Sequence, residues 1–466
     1  MKQVSLTIQD FFQLSNAVLY DADKFKPITK VSIDSRNVSK GSLFIAIKGE
    51  KFDGHDFINE AIKKGANLVL INENKLNSFQ HLKIPIITVK NTTLALGEIA
   101  AVWRKKLRTK IIGLTGSAGK TTTKEMIFNL LSEKYSVNKT AANNNNHIGV
   151  PLTLLSTTNK HDYLVLELGT NHFGEIKYSA EIALPDYALI TNIGNSHLEF
   201  LNNKKGVLKE KSFLFEATKS INGTLLINNE DPLLRMKNEN YKKRITFGIE
   251  CNADVKGRIE KFTTDGKPVI TVSYKGKSET FEIPFYGEQG AKNFLAAATV
   301  ALTVGLRFKD IKKSIKKFKP VEKRLDIRKL KNFVIINDTY NANPESMKLS
   351  LELLAKISIY KNRIAILGDM FELGSKSKVL HEALSRVVLK NKIDRVYLIG
   401  KAMKYLHKKL INKKVESYHF ENRESFKEFL IHECLTNSVI LIKGSRGMKM
   451  EEFTESIISH YKGNSK

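Results

Sequence analysis

The run Gly113-Leu-Thr-Gly-Ser-Ala-Gly-Lys-Thr-Thr-Thr123 constrains this chain more than any other stretch. The apolar pair Ile111-Ile112 leads into it, and Lys124-Glu125-Met126-Ile127-Phe128 follows with helical spacing. Strand, glycine loop and helix in that order form a phosphate cradle. Gly116, Ser117, Ala118, Gly119 and Thr122 supply the loop, the two glycines letting backbone N–H groups turn inward. Lys120 reaches toward the β- and γ-phosphates, and the Thr121 hydroxyl suits Mg²⁺. The helix N-terminus adds partial positive charge beneath the anion. Leu114 stands where the strict pattern has a glycine, and the plain alternative is a glycine turn before an ordinary helix. The residues alone point to ATP or GTP.

A chain of 466 residues has room for about three domains at ~150 residues each. Two cysteines, Cys251 and Cys434, lie far apart and in no ligand pattern, which suits a reducing compartment and argues against a zinc site or a disulfide framework. The N-terminus has no long apolar core, and no apolar run reaches the ~18 residues of a membrane span. The chain is therefore expected in the cytoplasm, without membrane insertion. A net charge of +28 raises a nucleic-acid reading. Against it, the lysines are scattered, no aromatic residues interleave a basic stripe, and no nucleic-acid motif occurs. A basic field would also steer an anionic small substrate.

Taken in order, residues 1–85 read as a small α/β unit, with strands at Leu43–Ile47 and Asn67–Ile71 around a helical stretch. Residues 86–318 carry the glycine loop and buried strands at Ile111–Thr115, Tyr163–Leu168, Tyr187–Asn192 and Thr224–Asn228. Helices between them imply a parallel sheet covered on both faces. A small antiparallel patch is expected over 253–286, then an apolar helix from Gly287. Residues 319–466 repeat the α/β rhythm, with strands at Phe333–Asn337, Arg363–Leu367, Val396–Ile399 and Val439–Ile442. The lysine-rich segment before Pro320 reads as a hinge.

Ligands of such sheets gather at the carboxyl ends of the strands, where several polar residues fall. Glu167 ends a strand and suits Mg²⁺, although a capping or salt-bridged acid would look the same. His197 follows another strand end, and a lone histidine there is as readily structural. Asn143 to Pro151 is by composition a polar loop before a helix. Asp34-Ser35-Arg36 and Phe52-Asp53-Gly54-His55 are turn-forming clusters.

Together these stretches resemble the Mur ligases, the ATP-dependent amide-bond-forming enzymes of peptidoglycan precursor synthesis. The phosphate loop, in which Leu114 is then normal, is followed in family order by Asn145-Asn146-His147-Ile-Gly149, Glu167-Leu-Gly169, Asn195-Ser-His197 and Lys443-Gly-Ser-Arg446. Asn337-Asp-Thr-Tyr-Asn-Ala-Asn-Pro-Glu-Ser-Met347, Glu167-Leu-Gly-Thr-Asn-His-Phe-Gly-Glu-Ile176 and Gly368-Asp-Met-Phe-Glu-Leu-Gly374 are similar to the member that adds D-alanyl-D-alanine to UDP-N-acetylmuramoyl-tripeptide.

The resemblance implies three α/β domains: a central P-loop doubly wound parallel sheet, a smaller N-terminal α/β domain and a C-terminal Rossmann-like α/β domain. It implies ATP and Mg²⁺ as cofactors, with the UDP-linked tripeptide and the dipeptide as substrates and a monomer with no nucleic-acid partner. It gives Lys120, Lys211 and His197 catalytic roles, Lys211 as a carbamylated lysine. Thr121, Glu167, His197 and Lys211 become metal ligands, and Asn293, Arg324 and Asp338 join the phosphate loop in holding ATP. Ser35, Arg36, Asp53, His55, Asn145, Asn146, Asn341, Asn343, Lys443 and Arg446 become substrate-binding. Gln289 and Gly290 depart from the family, which usually carries a His-Asn pair there. The alternatives are a sibling ligase adding the third amino acid or glutamate to folate, and, from another class, a basic nucleic-acid-dependent NTPase.

Overall fold

A computed structural model describes residues 4–318 and 322–463. Three sheets follow one another along the chain. The first holds β1 (Val18–Tyr20), β2 (Lys30–Ser32), β3 (Ser42–Ile45), β4 (Ala66–Asn72) and β5 (Ile86–Val89), in the order β1-β5-β4-β3-β2. Its neighbours run parallel except β1 on β5. The expected division at residue 85 therefore cuts the first sheet, because β5 pairs with both β4 and β1; a division after Val89 keeps it whole.

The second sheet has nine strands: β6 (Lys110–Thr115), β7 (Val137–Lys139), β8 (Tyr163–Glu167), β9 (Tyr187–Ile190), β10 (Thr224–Asn228), β11 (Arg244–Ile249), β12 (Val255–Phe262), β13 (Pro268–Tyr274) and β14 (Lys277–Glu282). Their order is β14-β13-β12-β11-β10-β9-β6-β8-β7. Pairing is parallel from β7 to β12 and antiparallel for β12-β13-β14. The antiparallel patch is thus an extension of the main sheet. In β6 every residue after Lys110 is buried, as a strand covered on both faces requires. One face packs on helices Lys120–Leu131 and Gly287–Thr303. The other, with helices Glu175–Ala183 and Lys204–Ser220, shares one continuous core with the first sheet through helix Thr92–Lys106.

The third sheet runs β15-β16-β20-β17-β18-β19, built from β15 (Asp326–Lys329), β16 (Phe333–Asn337), β17 (Asn362–Gly368), β18 (Arg395–Ile399), β19 (Glu416–Phe420) and β20 (Ser438–Lys443). Only the β15–β16 pair is antiparallel. Separate cores lie on its two faces. The lysine-rich segment before Pro320, expected as a hinge, is helical over Phe308–Ile315; Lys319 and Pro320, just past the expected division after 318, lie outside the described residues.

Candidate active site

The phosphate loop forms where β6 ends and helix Lys120–Leu131 begins. Gly119 caps that helix with φ of 81°, and a Cβ there would lie 2.4 Å from Asn293 Oδ1. A Cβ on Gly116 would lie 1.9 Å from Thr191 Oγ1. Both positions need glycine because the backbone packs against the end of β9 and helix Gly287–Thr303. Lys120 Nζ donates to the Gly116 carbonyl at 2.8 Å, folded back over its own loop. Burial pushes this ammonium below the ordinary lysine range and the charge of Arg324 adds to the effect, while Glu167 opposes it.

Glu167 closes β8 beside this loop, with 1% of its surface exposed. Its Oε1 accepts from Thr121 Oγ1 at 3.1 Å and from Asn145 Nδ2 at 2.8 Å. Oε2 is buried and accepts no hydrogen bond; Lys124 Nζ lies 3.5 Å from it. Three of the predicted residues, Thr121, Asn145 and Glu167, thus meet on one carboxylate. Asn146 does not join them: its side chain caps helix Gly149–Ser156, accepting from Gly149 N at 2.9 Å.

Lys211 comes from helix Lys204–Ser220 and is 1% exposed. Its amine makes no hydrogen bond or ion pair among the described residues. Burial and the charge of Lys120 push it well below the ordinary lysine range against the pull of Glu210. A buried, unpaired, weakly basic amine is costly unless it is modified or given a ligand. Its neighbour Glu210 is engaged, accepting from Gly174 N at 2.8 Å and Ile176 N at 2.7 Å. That fixes the loop after β8.

His197 lies in the left-handed region, φ 52°, as does Glu372 of the third unit, φ 60°. His197 Nδ1 is 2.6 Å from Glu372 Oε2, a close contact whose angle is not that of a directed hydrogen bond. The third unit touches the loop elsewhere too. Asn343 Nδ2 donates to the Ser117 carbonyl at 3.2 Å, and Glu345 Oε1 accepts from Asn195 N and Nδ2 at 2.8 and 2.9 Å.

Between the second and third units lies a cavity of about 410 Å³. Ser117 to Lys120, Thr122, Asn145, Glu167 and His197 line it from one side, and Arg324, Asp338, Asn341, Asn343, Lys443 and Arg446 from the other. Gly116, Thr121 and Lys211 are not among its lining residues. Asn293 also faces the cavity, its Oδ1 accepting from Gln289 Nε2 at 2.6 Å. The departure at Gln289 therefore orients Asn293. The Arg324 guanidinium stacks over the Tyr340 ring at 3.8 Å. Asp338 and Lys443 form a buried pair, Nζ to Oδ2 2.5 Å, which Asn341 joins by accepting from Lys443 through its carbonyl at 2.9 Å. Arg446 holds Glu451 at 2.8 Å.

Ser35, Arg36, Asp53 and His55 lie on the first unit and not on this cavity. Ser35 Oγ donates to Glu60 at 2.8 Å, and Arg36 grips Asp34 through Nε and Nη2, each at 2.9 Å. His55 is buried with Nδ1 2.6 Å from Asp53 and Nε2 accepting from Asn72 N at 3.1 Å. Both of its ring nitrogens are already engaged within the fold. Arg36 keeps its exposed guanidinium face.

Among the described residues no three or more His, Cys, Asp or Glu side chains gather as a metal site. Mg²⁺ held largely by phosphates needs only one or two carboxylates, and the orphaned Glu167 Oε2 beside Thr121 fits that use. Sequence reasoning missed Lys124, Glu210, Glu345 and Glu372. The last two sit inside stretches already singled out, Asn337–Met347 and Gly368–Gly374, but their partners are remote in the chain.

Three family profiles match: the Mur ligase middle domain over 114–301, the Mur ligase glutamate ligase domain over 323–446, and the Mur ligase family catalytic domain over 27–104. UDP-N-acetylmuramoyl-tripeptide–D-alanyl-D-alanine ligase of Bacillus subtilis is 34% identical, over 92% of this chain and 93% of that protein. The Escherichia coli protein of the same name is 33% identical over 97% and 98%. Among solved structures, MurF from Acinetobacter baumannii superposes with TM-score 0.87 at 28% identity, covering 98% of this chain and all of that one. MurF from Thermotoga maritima in complex with ADP gives 0.82 at 28% identity, covering 94% and 98%.

Proposed function

The chain belongs to the Mur ligase family, and from that premise we propose that it joins D-alanyl-D-alanine to UDP-N-acetylmuramoyl-tripeptide at the expense of ATP, in peptidoglycan precursor synthesis. The observation that carries this reading is a phosphate loop, Glu167 and the Asn337–Met347 segment gathered on one cavity, in a chain matched end to end by ligases of that name.

The reaction has two transfers. A carboxylate oxygen of the tripeptide attacks the γ-phosphorus of ATP, the bond to the β-phosphate oxygen breaks, and ADP leaves. The dipeptide amine, neutral when it attacks, then adds to the acyl carbon, a C–N bond forms, the nitrogen gives up a proton to solvent, and inorganic phosphate leaves with the old carboxylate oxygen. The obstacle is bringing a carboxylate up to a polyanion. Lys120 and the loop N–H groups offset that charge where it develops. Asn293, Arg324 and Tyr340 line the cavity beside the loop, suited to the nucleoside. Asn341, Asn343, Lys443 and Arg446 face the loop from the third unit, where the incoming dipeptide would sit. Ser35, Arg36, Asp53 and His55 belong to the unit assigned to the UDP end, Asp53 and His55 by shaping its loop.

Mg²⁺ would be held by Thr121, Glu167, His197 and a carbamylated Lys211, and when bound it supplies charge neutralisation and orientation of the phosphates. Lys211 fits carbamylation because its amine is buried, unpaired and weakly basic, and addition of CO₂ to a neutral amine gives an oxygen ligand. Asn195 and Ser117, gripped from the third unit, suit a closed state that shields the acyl phosphate from water. We place the enzyme in the cytoplasm as a monomer, acting on small molecules and not on nucleic acid.

The test is product mass. Incubation with ATP, the UDP-tripeptide and D-alanyl-D-alanine should give the UDP-pentapeptide, with single amino acids or glutamate as poor acceptors. Turnover on a UDP-dipeptide with a single amino acid would instead make this the sibling ligase.

A further inference from the structure

Lys124 is one of the largest fully buried side chains in the protein, and nothing in the reaction above uses it. It lies one turn beyond Lys120 on the same helix face. Its Nζ donates to the Ala142 carbonyl at 3.0 Å and lies 3.4 Å from Glu125 Oε1 and 3.5 Å from Glu167 Oε2. Ala142 is itself left-handed, φ 46°, in the loop that brings Asn145 to Glu167. Glu125 is shared with Lys139. The ammonium is therefore anchored from three directions and fully buried.

Glu167 needs that neighbour. Its Oε1 holds two donors, but Oε2 is buried with Lys124 as its nearest positive charge. A divalent cation settling on this carboxylate meets a fixed ammonium about one contact distance away. In a low-dielectric pocket such repulsion is strong, and only further anions offset it. Nucleotide phosphates on the adjacent loop are such anions.

We propose that Lys124 is a positioning residue: it supplies the counter-charge that seats Glu167 before any cation binds, and it makes divalent-cation binding there conditional on the nucleotide's phosphates. The inference rests on Glu167 being a metal ligand. Its consequence is that the metal enters with ATP instead of loading first.

The experiment titrates the full chain with Mn²⁺, followed by electron paramagnetic resonance, with and without ADP. Wild type should bind Mn²⁺ at least tenfold more tightly with ADP than without. Lys124→Met should bind it at least tenfold more tightly than wild type in the absence of nucleotide, closing most of that gap. Equal bare affinities in the two proteins would overturn the proposal. Wild type that binds no Mn²⁺ even with ADP would overturn the metal reading of Glu167 instead. Thermal melting checks the pair without any metal: K124M should melt lower than wild type, and adding E167Q should recover most of the loss. A defect in K124M that E167Q leaves unrepaired would assign Lys124 to the fold and refute the counter-charge role.

Discussion

His197, from the loop after β9, and Glu372, from the loop after β17, face each other across the cavity with Nδ1 and Oε2 2.6 Å apart. Both backbones are left-handed, a conformation that side chains other than glycine adopt at a cost of about 1–3 kcal/mol. The contact also holds the Glu372 carboxyl below its ordinary range, chiefly through His197 and against desolvation. Two strained loops from separate units thus meet at one close contact. Because Glu372 is partly exposed, the contact contributes at most about 1 kcal/mol. Glu372→Gln should accordingly lower kcat/KM by up to about fivefold, with an unchanged melting temperature. A wild-type value in steady-state kinetics would remove Glu372 from closure.

Gly119 admits no side chain. Alanine would face both the left-handed backbone and an oxygen 2.4 Å away on Asn293. With strain of about 1–3 kcal/mol, and 1.4 kcal/mol per tenfold in affinity, Gly119→Ala should weaken ADP binding by roughly 10- to 100-fold in calorimetry. The melting temperature of the nucleotide-free protein should fall by only a few degrees.

Lys211 tests the carbamate. Stripping CO₂ at mildly acid pH should reduce activity, and bicarbonate should restore it. A carbamate resonance should appear in ¹³C spectra of wild type given labelled bicarbonate and be missing from Lys211→Met. Wild type with full activity after stripping and no such resonance would mean that Lys211 acts unmodified.

His381 offers a pH dependence. It is fully buried on helix Ser377–Lys390, its Nε2 accepting from Met370 N at 3.0 Å and its Nδ1 facing the Ser377 carbonyl at 2.7 Å. Burial lowers its pKa from the ordinary 6.5 despite the Ser377 and Asp369 contributions. The unfolded chain then binds a proton that the folded chain refuses, so stability falls as pH drops below about 6.5 and continues to fall until the folded pKa is reached. Melting temperature between pH 7.5 and 5 should decline more steeply for wild type than for His381→Gln, and parallel profiles would contradict this. Met370 leads into Glu372, so the same protonation should loosen the closing loop.

Much of this was legible in the sequence where the signal is local. The phosphate loop announces itself because strand, glycines and lysine lie within a dozen residues, and the long buried strands β6, β8, β10 and β16 read as continuous apolar runs. Short strands did not: β1, β2 and β7 have three residues each, too few for a period, and β5 was cut from its sheet. Lys124 was invisible because a lysine one turn beyond Lys120 reads as a solvated face in a chain this basic. Glu345 and Glu372 lay in recognised motifs, yet their roles come from Asn195, 150 residues away from Glu345, and from His197. The Asp53–His55 cluster was visible as a turn. Its hydrogen bond from Asn72 N to His55 was not.

The central claim concerns where the γ-phosphate goes, and phosphate release measured with each component left out in turn addresses it most directly. The account predicts steady release of inorganic phosphate only with ATP, UDP-N-acetylmuramoyl-tripeptide and D-alanyl-D-alanine together, and its loss in Lys120→Ala. Release that proceeds at full rate without either acceptor, or that DNA or RNA stimulates in their place, would contradict it.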